Sequence, residues 1–319
     1  MKIVILERNS VGRDVDMSCF EDLGTVTYFD NTTTPEEVSE RVRGAEAVIV
    51  NKAPLTRKAL EGAVNLKFIG ILATGYDNCD LAFCRERGIR VTNVVNYSTA
   101  MVAQHTVTLA LALAGKIVHY DRYVKSGAYS AQSSFSNFDE AFRELDGKTW
   151  GIVGMGNIGS RVAKIAEALG CDIITHSLTG RGHGDTYEQV DKDTFLERSD
   201  ILSLHCPLSD LSRNFIDAAA LKKMKSSAIL INVARGPVVN GADLYDALER
   251  GEIAAAGLDV LEKEPMDPAD PLGRIQDSSR LIITPHLAWA GVEARERCVK
   301  GVYQNLAAFL RGGERNIVC

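Results

Sequence analysis

Trp150-Gly151-Ile152-Val153-Gly154-Met155-Gly156-Asn157-Ile158-Gly159 is an apolar strand that runs into a G-x-G-x-x-G turn, and the residues after it keep helical spacing through Leu169. Strand, glycine turn and helix in that order specify one nucleotide-binding half of a doubly wound parallel sheet. Gly154 permits the tight turn, Gly156 lets backbone approach a pyrophosphate, and Gly159 lets the helix pack close to the strand. The helix start at Asn157 and Ile158 offers N–H groups and a partial positive charge to the phosphates. The turn therefore predicts a dinucleotide cofactor.

The pattern repeats on both sides of the turn. Downstream, strands read at residues 171–177, 201–205, 228–232, 254–259 and 281–284, with helices near 191–198 and 243–250. Upstream, strands at 2–6, 25–29, 47–50, 66–72 and 90–94 alternate with helical stretches at 34–42, 56–63 and 79–87. Such alternation implies α/β architecture with two doubly wound parallel-sheet, Rossmann-like domains, and the active site is expected in the cleft between them. The expected division is 1–98 plus 289–319 as a substrate domain and 99–288 as the dinucleotide-binding domain, the amphipathic stretch 292–310 returning to the first. A weakly polar helical pattern spans 98–124. Its Ala, Val and Leu content predicts burial, either between domains or, as we favour, in a homodimer contact. The Gly- and Ser-rich stretch 125–137 reads as a loop.

With 319 residues the chain suits about two domains. A hydrophobic share of 45% and a charged share of 24% fit an ordinary globular protein. The net charge of −6 gives no attraction to nucleic acid or an anionic membrane, so neither is expected as a partner. No stretch approaches the ~20 apolar residues of a membrane span. The opening run Lys2-Ile3-Val4-Ile5-Leu6 is too short for a signal-peptide core and reads as a buried strand. The seven cysteines are odd in number and lack C-x-x-C spacing, so they read as reduced structural thiols of a cytoplasmic protein without a metal site.

The strand after the glycine helix should end in an acid that binds the adenosine ribose. It ends instead His176-Ser177-Leu178-Thr179-Gly180-Arg181. Ser177 and Thr179 suit a 2′-phosphate that Arg181 would neutralise, which leans the reading toward NADP while leaving NAD open.

Three later strands each end beside a charged or titratable residue: Arg235 in Asn232-Val233-Ala234-Arg235-Gly236, Asp259 and Glu264 in Leu258-Asp259-Val260-Leu261-Glu262-Lys263-Glu264-Pro265, and His286 in Thr284-Pro285-His286. Ligands of such sheets bind where strands end. Arg, Glu and His are the set that reduction of a 2-keto acid needs. A guanidinium fork holds the carboxylate, and a histidine delivers a proton as hydride arrives. A glutamate bonded to the imidazole fixes its tautomer.

These segments, with the glycine turn and Leu204-His205-Cys206-Pro207-Leu208, resemble the D-isomer-specific 2-hydroxyacid dehydrogenases along nearly the whole chain. The resemblance implies that Arg235, Glu264 and His286 are catalytic, that Asp259 contacts the nicotinamide carboxamide, and that backbone at Cys206, Pro207, Val233 and Ala234 lines the cofactor site. His205 is left between a site role and a structural one. Ala73-Thr74-Gly75-Tyr76-Asp77-Asn78 resembles the family's substrate loop, with the N–H groups of Thr74, Gly75 and Tyr76 holding the carboxylate; Asp77 and Asn78 equally suit caps of the next helix.

Asn51-Lys52-Ala53-Pro54-Leu55-Thr56, Val102-Ala103-Gln104-His105-Thr106 and His286-Leu287-Ala288-Trp289 look most like the glycerate dehydrogenase or hydroxypyruvate reductase branch. Lys52 would meet the hydroxyl end of the substrate or stand as a surface lysine; Trp289 would wall the pocket or belong to the core. The end at Cys319 leaves no room for the regulatory domain many phosphoglycerate dehydrogenases append. Glu264 argues against formate dehydrogenases, which pair the histidine with Gln. The expected reaction is hydride transfer between NAD(P)H and hydroxypyruvate or glyoxylate. The alternatives are another D-2-hydroxy acid (lactate, a bulkier acid or phosphoglycerate) or a dinucleotide-sensing, corepressor-like binding protein.

Overall fold

The computed structural model describes residues 1–180 and 186–319. They form two compact units, Met1–Ser98 with Trp289–Cys319, and Thr99–Ala288. Both are α/β, each built on one parallel sheet.

In the first unit β1 (Lys2–Ile5), β2 (Thr25–Tyr28), β3 (Ala47–Val50), β4 (Phe68–Ile71) and β5 (Arg90–Thr92) pair in the order β2-β1-β3-β4-β5. The helices α1 (Pro35–Val42), α2 (Arg57–Leu60) and α3 (Leu81–Glu86) intervene. β3 and β4 are buried at every residue, which is why they are unbroken apolar runs rather than alternating ones. The C-terminal helix Val292–Leu310 packs in this unit. A Cβ on Gly70 of β4 would stand 2.5 Å from the Val302 side chain. Arg295 pairs with Asp14 at 2.6 Å and holds its carboxyl down to about 2.

The strand order reverses between β1 and β3, and the loops leaving these two strands are tied together there. Glu7, only 8% exposed, accepts the N–H groups of Asn51 (2.8 Å), Lys52 (2.8 Å) and Ala53 (2.9 Å). Asn78 Nδ2 donates to the Ala53 carbonyl at 2.8 Å. The Glu7 carboxylate thus joins the Lys52 loop to the loop after β1, and the Asn78 amide joins it to the loop after β4.

The second unit opens with α4 (Thr99–Ala114), α5 (Ile117–Lys125) and α6 (Ala128–Ala131). There follow β6 (Thr149–Val153), α7 (Asn157–Ala168), β7 (Asp172–His176), β8 (Glu188–Gln189), α8 (Lys192–Arg198), β9 (Ile201–Leu204), α9 (Ala218–Lys223), β10 (Ile229–Asn232), α10 (Gly241–Arg250), β11 (Ala255–Leu258) and β12 (Leu281–Ile283). The seven strands lie in the order β12-β11-β10-β9-β6-β7-β8, so direction of travel reverses beside β6, the strand that carries the glycine turn.

The single helix expected over 98–124 is two helices. They bend by 58° at Gly115-Lys116, where Lys116 adopts φ +52°. α4 covers its own sheet: Leu109 and Leu113 lie 3.1 and 3.3 Å from where a Cβ on Gly257 of β11 would stand. α5 buries no residue. Strongly exposed apolar side chains lie on α5 and the segment after it, with Ile117 63%, Val124 52%, Phe135 91% and Phe138 81% exposed. Within the stretch expected to be all loop, Ala128–Ala131 forms a helical turn. No single helix among the described residues is long and apolar enough to cross a membrane.

Candidate active site

At the turn after β6, Gly154 has φ +91°, and a Cβ there would stand 2.8 Å from both the Cys206 nitrogen and the His205 carbonyl carbon. A Cβ on Gly159 would meet the Gly154 carbonyl oxygen at 2.3 Å. Gly156 is different: nothing lies within 4 Å of its Cβ position, and no side chain caps the helix that starts after it. Close packing beneath the turn, open space above it and a helix start at Asn157, Ile158 and Gly159 suit a phosphate anion.

Two buried polar atoms without a hydrogen-bond partner flank this turn, Ser177 Oγ just past β7 and His205 Nδ1 just past β9. Leaving such an atom unsatisfied costs about 1–3 kcal/mol, so both are candidate ligand contacts. The His205 proton can be assigned. Ser203 Oγ accepts from Trp150 Nε1 at 2.9 Å and lies 3.0 Å from His205 Nε2. The Ser203 hydroxyl proton has no other acceptor among the described residues, so it is donated to Nε2, which places the imidazole proton on Nδ1. Burial pushes the imidazole down to about 3. Cys206, Val233 and Ala234 are buried and Pro207 is exposed, all at the strand ends beside the turn. Arg181, expected to neutralise a 2′-phosphate, lies outside the described residues.

Along the same edge, β10 ends in a braced turn. Asn232, fully buried, accepts the Ala234 N–H at 3.0 Å and donates to the Arg235 carbonyl at 3.0 Å, leaving the Arg235 side chain exposed. Arg235 Nη1 bonds the Ala234 carbonyl at 2.8 Å. Gly236 follows, and a Cβ there would stand 1.9 Å from the Leu261 carbonyl oxygen. Only glycine lets the Arg235 turn lie against the loop that carries Glu264. Asn232, which braces this turn, is a residue that the sequence reading passed over, although one amide closing an apolar strand was the available signal.

His286 Nδ1 lies 2.7 Å from Glu264 Oε2, and Glu264 Oε1 accepts the Leu261 N–H at 2.8 Å. A carboxylate accepts only, so Nδ1 carries the proton and Nε2 is the nitrogen that exchanges one. His286 has φ +55°, a left-handed conformation costing a non-glycine residue about 1–2 kcal/mol. Asp259 holds it there. Its carbonyl accepts the His286 N–H at 2.9 Å, Oδ1 accepts Leu287 N–H at 2.8 Å, and Oδ2 accepts Ala288 N–H at 2.8 Å. Asp259 is 1% exposed and both its oxygens are engaged by the chain itself.

In the first unit the expected substrate residues sit on two loops. Thr74 and Tyr76 are exposed and Gly75 half-buried; their N–H groups donate to no acceptor among the described residues. Thr74 Oγ1 donates to the Val94 carbonyl at 2.8 Å, and Asn93 Nδ2 donates to the Thr74 carbonyl at 2.7 Å, which braces the loop. Lys52 is exposed. The cap of α3 is Asp80, bonding Phe83 N–H at 2.9 Å, rather than Asp77 or Asn78. Asn78 is turned instead to the Lys52 loop. Trp289 is half-buried, edge-on to Tyr97 with centroids 6.3 Å apart.

A histidine held neutral by burial makes acid costly. The unfolded chain takes up a proton below about pH 6.5 that folded His205 refuses until about pH 3, so stability falls as pH drops through that window. His205→Asn is expected to flatten the loss of urea resistance between about pH 6 and about pH 4. An unchanged slope would refute the assignment.

The profile of the D-isomer specific 2-hydroxyacid dehydrogenase NAD binding domain matches residues 107–288. A hydroxypyruvate reductase of Blautia hydrogenotrophica is 36% identical over 323 residues, 100% of this chain and 99% of that protein. A glycerate dehydrogenase of Methylorubrum extorquens is 39% identical, covering 99% and 98%. Among solved structures, the TT0316 protein of Thermus thermophilus superposes with TM-score 0.90 at 33% identity, covering 100% of both chains. With a matched profile over more than half its length and relatives aligned from end to end, the chain belongs to the D-isomer-specific 2-hydroxyacid dehydrogenase family.

Proposed function

We propose that this protein reduces hydroxypyruvate or glyoxylate to the D-2-hydroxy acid, or runs the reverse, with a nicotinamide dinucleotide. The observation that carries the reading is the 2.7 Å His286–Glu264 pair on the same sheet edge as the glycine turn. Along that edge come His286 after β12, Glu264 after β11, Arg235 after β10, Cys206 after β9, the turn after β6 and Ser177 after β7. At about 4.8 Å per strand this order covers roughly 24 Å, with titratable groups at one end, a phosphate cradle in the middle and a hydroxyl at the other. The bound dinucleotide supplies the hydride. His286 Nε2 gives the proton to the carbonyl oxygen of the keto acid and takes it back in the reverse direction. Glu264 keeps Nδ1 protonated and stabilises the imidazolium side of the exchange. The Arg235 fork is suited to the substrate carboxylate, and the N–H groups of Thr74–Tyr76 are suited to the same group. Relatives named hydroxypyruvate reductase and glycerate dehydrogenase support a keto acid that carries a hydroxyl beside the carbonyl carbon, as hydroxypyruvate does.

For the cofactor we favour NADP. The buried, unpartnered Ser177 hydroxyl stands where an acid would repel a 2′-phosphate. For assembly we propose a homodimer, with α5 and Phe135–Phe138 covered by the same surface of a second copy, since large apolar side chains at such exposure favour a partner.

His286→Ala is expected to lower kcat by at least ~10²-fold on a keto-acid panel followed by nicotinamide absorbance. Unchanged turnover rejects the acid–base role, preference for pyruvate over hydroxypyruvate rejects the substrate class, and no turnover with any acid rejects the enzyme reading. Ser177→Asp is expected to raise the KM for NADPH and lower that for NADH; equal changes defeat the 2′-phosphate assignment. Light scattering on Phe135→Ser/Phe138→Ser is expected to show monomer where the parent chain is a dimer, and a monomeric parent chain defeats the proposed assembly.

A further inference from the structure

Asp259 holds the His286 loop, and a second line of bonds holds Asp259. Thr284 Oγ1 donates to Asp259 Oδ1 at 2.5 Å. With its one proton spent there, Thr284 Oγ1 can only accept from His105 Nε2, 2.9 Å away on α4. His105 Nε2 also stands 3.5 Å from Asp259 Oδ1, and its side chain is 14% exposed. The direction of the chain follows from donor and acceptor capacity alone: His105 Nε2–H to Thr284 Oγ1–H to Asp259 Oδ1.

We propose that His105 and Thr284 are positioning residues for the reaction, acting through Asp259 to aim His286; this rests on the acid–base role assigned to His286 above. The two carboxylate oxygens of Asp259 bind two successive N–H groups, Leu287 on Oδ1 and Ala288 on Oδ2. Rotation of that carboxylate therefore moves both. The Thr284 hydroxyl, pinned by the imidazole behind it, fixes the carboxylate plane. His286 sits one residue before these amides in a left-handed conformation that relaxes if they shift. α4 thus contributes a histidine to catalytic geometry from a helix whose other buried residues are core.

The test uses Thr284→Val, which keeps volume and loses the hydroxyl, and His105→Leu, with Thr284→Ser and His105→Gln as variants that retain a donor. Thr284→Val and His105→Leu are expected to lower kcat by about tenfold to a hundredfold, as a misaimed catalytic group does. The dissociation constant for ADP-ribose by fluorescence, a probe with the pyrophosphate but no nicotinamide, should stay within about twofold, because the phosphate cradle is untouched. The serine and glutamine variants should recover most of kcat, and the double variant should be no worse than the poorer single one, as for members of one chain. Folded variants with parental kcat, beside an inactive His286→Ala, overturn the proposal. Parallel losses in kcat and ADP-ribose binding also overturn it, by showing a general structural role. A fully active His286→Ala defeats the acid–base reading instead. Should Thr284→Val fail to fold, the His105→Leu and His105→Gln pair decides.

Discussion

A buried carboxylate at the end of β11 sets the geometry of the candidate site. Taking the Asp259 carboxylate to 1% exposure carries a desolvation cost of several kcal/mol. The cost is offset by donors from the chain itself, the Thr284 hydroxyl and the Leu287 and Ala288 amides, each bond to a charged acceptor being worth about 1.5–3 kcal/mol. Those same bonds keep His286 in its left-handed conformation. Compensation of one buried charge and aim of one imidazole are the same set of contacts.

Around that point the sheet does the rest. Parallel strands all release their chains at one edge, so six loops far apart in sequence arrive in a fixed spatial order. The loops are then locked to one another by close backbone approach. Gly154 lies under the His205–Cys206 peptide, and Gly236 lies against Leu261. In the first unit the corresponding device is a buried anion, Glu7, which gathers the amides of Asn51, Lys52 and Ala53 at the point where the strand order reverses.

Much of this was legible beforehand, because the signals are local. Apolar runs such as Ala47–Val50 and Ile229–Asn232 are strands by composition, and the glycine turn carries its own steric logic. The break at Gly115-Lys116 was not legible. Each half is a good helix, and only the packing of α4 on β11 makes the bend worthwhile. The cap of α3 was misplaced for a related reason. Asp77, Asn78 and Asp80 are all capable caps, and the choice followed from Asn78 being drawn to the carbonyls of the Lys52 loop.

The chain's own order of residues determined the strands, the phosphate turn and the charged residues at strand ends, because each depends on neighbours a few positions away. It also determined the reaction class through the kinds of side chain available. Tertiary structure alone decided which charges meet. His286 reaches Glu264 across 22 positions, and His105 reaches Thr284 across 179. Hydrogen bonds act over about 3 Å, and nothing in a linear order encodes that distance until the strands have paired.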